Sequence, residues 1–320
     1  DLVRSRGLGD VYKRQGLAIG VILLALTLTG SLSWFARITP KSVVRGIQLG
    51  LGLTLMSTAV SFMQKKGGRP LLGFEMPFWI IASICVGVVL LRYSNRRLPP
   101  MLVILPLGIA LSLTSMNVAG LLAFNISLPS PNIALTTSDI WLGLLILGIA
   151  QIPLTIGNSV IATDSLAHSL FPETKTVTVR RLGLTLGIMN VFSAFVGGIP
   201  MCHGAGGLAG HYRFGARRAA CLLFIGGLLI VLGIFFGNAL TTVFELIPYP
   251  VLGVILFFAS IELAMAIRDI DVRNDLFTVF LVAVSCAFVQ YGYLIGWLGG
   301  IAMSCAIRKN WLRLSEHIKS

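Results

Sequence analysis

The chain has 320 residues, 56% of them hydrophobic and only 12% charged, with a formal net charge of +13. A soluble globular domain carries about a quarter charged residues, so the composition excludes one and implies an all-α polytopic membrane protein. The basic excess does not imply nucleic acid, because Lys and Arg sit in short connections between apolar runs and no basic domain stands clear of them.

Residues 1–15, DLVRSRGLGDVYKRQ, are polar and basic. They lack the apolar core and small-residue cleavage site of a signal peptide. They read as a non-native or disordered leader, which leaves 16–320 as the transmembrane domain. A bilayer core of about 30 Å needs about 20 apolar residues per helix. Runs of that kind are 16–35, 43–63, 76–92, 100–123, 140–162, 182–199, 219–237 and 250–268. The block 275–307 is too long for one helix, and Gly292, Gly296, Gly299 and Gly300 divide it into a pair. The segment 203–212 is too short to span and is rich in glycine, so it reads as a half-helix with an extended lead-in. The sum is about eleven segments.

Basic residues alternate between connections. Arg37 and Lys41 lie in 36–42, Arg96 and Arg97 in 93–99, Lys175, Arg180 and Arg181 in 163–181. Arg213, Arg217 and Arg218 lie in 213–218, and Arg268 and Arg273 in 268–274. The tail adds Arg308, Lys309, Arg313 and Lys319, whereas 124–139, 200–202 and 238–249 have none. From residue 76 onward the pattern places the basic loops and the C-terminus in the cytoplasm of a multi-pass inner-membrane protein. Two places disagree. The 64–75 loop, with Lys65, Lys66 and Arg69, falls outside, and so does the N-terminus. An external start is expected where an odd number of spans precedes residue 16.

Polar residues at membrane depth are functional candidates. In 140–162, Gln151, Thr155 and Asn158 stand at i, i+4 and i+7, one face of an α-helix. The plainer reading is interhelical hydrogen bonding. The stretch 187–218 is the most informative: GIMNVFSAFVGGIPMCHGAGGLAGHYRFGARR. Pro200 breaks the apolar run, and Cys202, His203, Gly204, Ala205, Gly206 and Gly207 follow. Non-helical backbone at this depth has to be satisfied by protein or by something that binds. N–H groups at a helix start attract an anion, and small residues let it approach. The competing reading is Gly206-x-x-x-Gly210 as a close-packing motif. Asn190 and Glu262 lie inside apolar runs as further lining or coupling candidates. Glu262 is equally a partner for Arg268.

No metal site is expected. Of the five cysteines, Cys85, Cys221, Cys286 and Cys305 sit in apolar runs and read as free buried thiols. Cys202 and His203 are adjacent and cannot complete a metal site. GAGGLA (204–209) matches a dinucleotide pattern in form, but no strand precedes it and the next acidic residue is Glu245. No cofactor is implied. An intramembrane enzyme would need a nucleophile–base pair, and adjacent Cys202 and His203 on a turn make a poor one. A nucleobase or organic-anion permease would need a surface for a planar ligand, and 150–165 and 203–211 hold no aromatic residue.

QIPLTIGNSVIAT (151–163), MNVFSAFVGGIPMCHGAGGLAGHYRFGARR (189–218) and PKSVVRGIQLGLGL (40–53) resemble the molybdate transporter family of the sulfate-permease (SulP) type. The resemblance covers most of 16–270 and implies fourteen segments in two inverted repeats of seven, with two half-helices whose N-termini face each other across the anion. Residues 203–212 would be the tenth segment, 182–199 the ninth and 140–162 the eighth, so the second repeat is about 140–307. Asn158 falls near a position where relatives of this fold carry an acidic residue, and an uncharged Asn suits an oxyanion. The family's P-V-Q-P-M-K-like motif of the third segment is missing, which implies three absent upstream segments. The resemblance further implies import of molybdate, or of sulfate or tungstate, by alternating access as a secondary active transporter. Thr155 and Asn158 would bond its oxygens, backbone N–H groups of 203–207 would cradle it, and His203 would couple uptake to protons. A homodimer is compatible with it.

Overall fold

The computed structural model describes residues 8–64, 77–92, 100–113, 126, 149–213, 216–237 and 246–312. The connections expected at 64–75, 93–99 and 124–139, the first part of the 140–162 run and the end of the tail lie largely outside these residues. The chain divides into two compact units. One holds 1–53, 130–209 and 263–320, and the other holds 54–129 and 210–262.

In the first unit, α1 (Leu8–Leu28) and α2 (Ser31–Ile38) meet at a bend of 89°. The 16–35 run was expected to be one span, and it is a broken one. The cause is Gly30, whose φ of +78° is left-handed. α1 also begins at Leu8, inside the leader expected to be disordered. Lys13, Arg14 and Gln15 are good helix formers and extend the apolar helix backwards. α3 (Lys41–Gln64) starts in this unit. α6 (Ile149–Leu154), a π-helical stretch (Thr155–Ile161) and α7 (Ala162–Leu170) form one continuous element. The expected loop from 163 is therefore helical to Leu170, because its polar residues end the hydropathy signal without breaking the backbone ladder. α8 (Val179–Phe195) starts with Thr178 capping the Arg181 N–H. It ends in a Schellman turn at Gly197, φ +80°, with Gly198 N–H bonded to Ser193 O at 2.7 Å and Gly197 N–H to Ala194 O at 3.2 Å. α9 (Ala205–Arg213), whose residues from 210 on belong to the other unit, follows a lead-in without regular secondary structure. α12 (Arg273–Phe288) and α13 (Gly292–Arg308) are the expected pair from 275–307.

Mostly apolar side chains fill the unit's interior. Ile19, Leu23, Leu32, Ile156, Val160 and Leu186 form one core, and Val43, Ile47, Val282, Cys286 and Trp297 another. The helices approach closely where glycines face them. A Cβ on Gly20 would lie 2.8 Å from the Val191 backbone nitrogen. Trp297 Nε1 donates to Thr39 Oγ1 at 3.1 Å and so satisfies its one donor.

An ion cluster closes one end of this unit. Arg45 donates from Nε to Asp269 Oδ1 at 2.9 Å and from Nη2 to Oδ2 at 2.7 Å. Lys41 Nζ lies 2.9 Å from Asp269 Oδ2. The pairing is bidentate and Arg45 is mostly buried, so it exceeds an ordinary surface pair. Asp269→Asn is expected to cost about 1–2 kcal/mol, read as a lower melting temperature of the detergent-solubilised protein. An unchanged melting temperature would reduce the cluster to surface decoration.

The second unit holds α4 (Phe78–Arg92), α5 (Met101–Leu113), α10 (Ala219–Phe236) and most of α11 (Tyr249–Ala264), which runs on into a 3-10 turn (Met265–Asp269). Its core is Ile81, Ala82, Cys85, Val89, Ile104, Val251, Val254 and Phe258. No residue of α10 is buried. It is apolar on every side, as a lipid-facing span is. Among the described residues, α3, α10 and Tyr249–Asp269 are long and apolar enough to cross a membrane, and the bent α1–α2 pair makes a fourth. The thiols depart from expectation. Cys85 and Cys286 are buried, but Cys305 is exposed and Cys221 half-buried, since a span's apolar face can meet lipid instead of protein.

Candidate functional site

The π-helical stretch is the first component of the site. Ala162 N–H bonds to Gly157 O, one residue further back than in an α-helix. Pro153, one turn earlier, supplies no backbone donor to the α-ladder. The wider turn moves Thr155 and Asn158 off the simple α-helical face that their spacing predicts. Every residue from Thr155 to Val160 is buried, and Gln151 is half-buried. Gly157 sits against α3, where a Cβ would be 2.9 Å from Ile47 Cδ1.

Asn158 is 9% exposed, and its Oδ1 is buried without a hydrogen-bond partner. Such an atom costs about 1–3 kcal/mol. Rotating the amide about its last torsion would place its NH₂ there instead, turning an acceptor into a donor. Either way the side chain holds unspent hydrogen-bonding capacity.

The second component is the start of α9. Thr163 Oγ1 lies 3.3 Å from Asn158 O and 3.3 Å from His203 O, so one hydroxyl joins the π stretch to the lead-in. Ala205 is buried against Val44 and Ala162. These contacts bring Asn158, His203, Gly204 and Ala205 together. Gly206 and Gly207 are exposed. Among the described residues, a Cβ on Gly207 would meet nothing within 4 Å, and one on Gly206 only Leu263 Cδ1 at 4.0 Å. Gly210 has no neighbour within that range either. Tight packing within these residues therefore does not account for the glycines. Among the described residues, no side chain crowds the Cβ positions of Gly206 and Gly207 in the first turn of α9.

The remaining candidates divide. His203 Nε2 is 2.9 Å from Thr185 Oγ1, so its ring turns to α8. Cys202 is exposed. Asn190 is fully buried and spends its amide on backbone: Nδ2 donates to Leu186 O and Met201 O, and Oδ1 accepts from Met201 N–H, each at 2.9 Å. It supports the site and does not line it. Glu262 is exposed on α11, in the other unit. Sequence reasoning missed Thr163, Thr185 and Ser193. A signal existed for Ser193, which stands three residues after Asn190 on one face of α8. No group of three or more His, Cys, Asp or Glu able to hold a metal occurs among the described residues.

Known proteins match this chain over most of its length. A family model described as "Molybdate transporter of MFS superfamily" matches residues 6–55 and 143–263. Molybdate transporter 1 of Arabidopsis thaliana is 32% identical, over 93% of this chain and 71% of the relative. Molybdate transporter 2 of the same plant is 31% identical, over 94% and 72%. Among solved structures, the transmembrane domain of a cyanobacterium bicarbonate transporter, BicA, aligns with a TM-score of 0.65 at 19% identity, covering 92% of this chain and 79% of that one. That last likeness is one of fold.

Proposed function

The chain belongs to the molybdate transporter family, and from that premise we propose that it imports molybdate, or a similar tetrahedral dianion such as sulfate or tungstate, across the inner membrane by alternating access. As a member of that family it is a multi-pass membrane anion transporter and not an enzyme. The dianion sits at the first turn of α9, where backbone N–H groups and the helix dipole favour negative charge. Asn158 donates to one of its oxygens, and Thr155 completes the polar wall.

The observation that carries this reading is the unspent amide of Asn158, buried where the π stretch meets the lead-in to α9. With the amide turned so that its NH₂ takes the unpaired position of Oδ1, an oxyanion supplies the acceptor for it. The open space at Gly206 and Gly207 supports it, since an anion approaching backbone N–H groups needs room that a side chain would take. None of Thr155, Asn158, His203, Gly204 and Ala205 is a carboxylate, which suits a dianion.

Proton coupling belongs to the same proposal. A protonated His203 adds a positive charge two residues before α9 while keeping its bond to Thr185. Uptake that survives collapse of the proton gradient would remove this part and leave the rest.

The test is uptake of molybdate at low external concentration, with sulfate as competitor, in cells lacking their own molybdate importers and expressing the protein at full length. Uptake should persist in excess sulfate and fall about tenfold or more in Asn158→Ala, the loss expected for a hydrogen bond to a charged ligand. Uptake indifferent to Asn158, or absent altogether, overturns the assignment.

A further inference from the structure

After Gly197 reverses the chain, the lead-in to α9 runs back along α8, and three side chains of α8 meet it in order. Ser193 Oγ donates to Ile199 O at 2.8 Å. Asn190 bonds both backbone groups of Met201 at 2.9 Å. Thr185 Oγ1 pairs with His203 Nε2 at 2.9 Å. The spacings agree. From Ser193 to Thr185, eight residues of helix advance about 12 Å. From Ile199 to His203, four residues cover up to about 13 Å at the rise of an extended chain. The two rows are antiparallel and agree in overall length, so these polar side chains of α8 read out one register of the lead-in.

We propose that Thr185, Asn190 and Ser193 form a template that sets this register and thereby fixes where α9 begins, with Asn190 as its principal positioning residue. The inference rests on the anion site being the first turn of α9. Asn190 is the central rung because its amide presents a donor and an acceptor together, as a peptide group does. Without it Met201 would hold two unpaired backbone groups in a segment that no strand or helix serves. A slip by one residue would displace the start of α9 by about 3.3 Å, beyond the tolerance of a hydrogen bond. The N–H array would then miss the anion. Asn190 contributes to affinity without touching the ligand.

The template predicts a particular kinetic signature. If only a fraction of molecules hold the correct register, apparent affinity falls by that fraction, and saturating substrate recovers the competent form. Asn190→Ala should therefore raise the apparent KM for molybdate roughly tenfold or more at an unchanged maximal rate per transporter. Thr185→Val should act in the same direction, and Thr185→Ser, which keeps the hydroxyl, should restore wild-type KM. Amide hydrogen exchange on the purified full-length protein gives a readout that needs no ligand. Exchange across 197–203 should accelerate about tenfold or more in Asn190→Ala, with exchange across α1 unchanged.

Faster exchange together with a raised KM supports the template. Faster exchange with an unchanged KM makes the rungs purely structural and overturns it. Unchanged exchange shows that the rungs do not hold the lead-in, and overturns it as well. Asn158→Ala separates the two proposals, since it should raise KM while leaving exchange across 197–203 at the wild-type rate. If only Asn190→Ala raises KM, the template stands and Asn158 is not a ligand.

Discussion

Asn158→Asp is expected to abolish molybdate uptake at neutral pH while the protein still reaches the membrane. The change swaps an NH₂ for an oxygen and leaves the side chain's size almost untouched. Its effect is therefore one of charge. Two unit charges about 4 Å apart interact by about 4 kcal/mol at the effective dielectric of a protein site, and a dianion doubles this. Even a quarter of that repulsion lowers affinity by more than tenfold. The lost donor adds to it. The measurement is uptake per transporter, normalised to the amount in the membrane. Uptake above about a third of the wild-type level would contradict both the predicted charge repulsion and the placement of the anion at Asn158.

Gly46→Val is expected to have the largest effect on stability. A Cβ on Gly46 would lie 2.6 Å from Val282 Cβ and 2.9 Å from the Val279 carbonyl oxygen. The first neighbour is the root of a β-branched side chain and the second is backbone, so neither can rotate away. The same contact recurs one turn on, where a Cβ on Gly50 would be 3.0 Å from Ala283 O. α3 and α12 thus touch along a glycine edge, and a branched side chain has to push two helices apart. Overpacking typically costs 1–3 kcal/mol, and this case belongs at or above about 3. That is a large share of the roughly 5–15 kcal/mol that holds a domain folded. The expected outcome is loss of the monodisperse peak on size exclusion after solubilisation. A sharp peak with wild-type melting temperature would show that the two helices separate at little cost.

Much of the fold was legible because a bilayer enforces it. Apolar runs near 43–63, 182–199, 219–237 and 250–268 appear as α3, α8, α10 and α11 with bounds shifted by a few residues. The half-helix after a non-helical lead-in was legible from Pro200 and the glycines. What failed were features decided by backbone geometry. A hydropathy window cannot register that Gly30 takes a left-handed conformation, so one run became a bent pair. The face assigned to Gln151, Thr155 and Asn158 assumed an α-helical period, and the π stretch changes that period where the site lies. Asn190 was legible as a buried polar residue, but its role depends on Met201 lying opposite it. The partner of Asp269 is Arg45, 224 residues away in the chain, and nothing local in the sequence joins them.

α10 meets its solvent along its whole length. Its 18 residues include no buried one, and at 1.5 Å per residue they reach about 27 Å. Its tilt therefore answers to hydrocarbon thickness as well as to the contacts it makes. In a membrane a few Å thicker than this, the short helix is met by thinning of the surrounding lipid or by stretching of its ends towards the headgroups, at fractions of a kcal/mol per Å. Acyl-chain length thus enters the energetics of this fold through α10, where the bilayer's own elasticity bears on the protein.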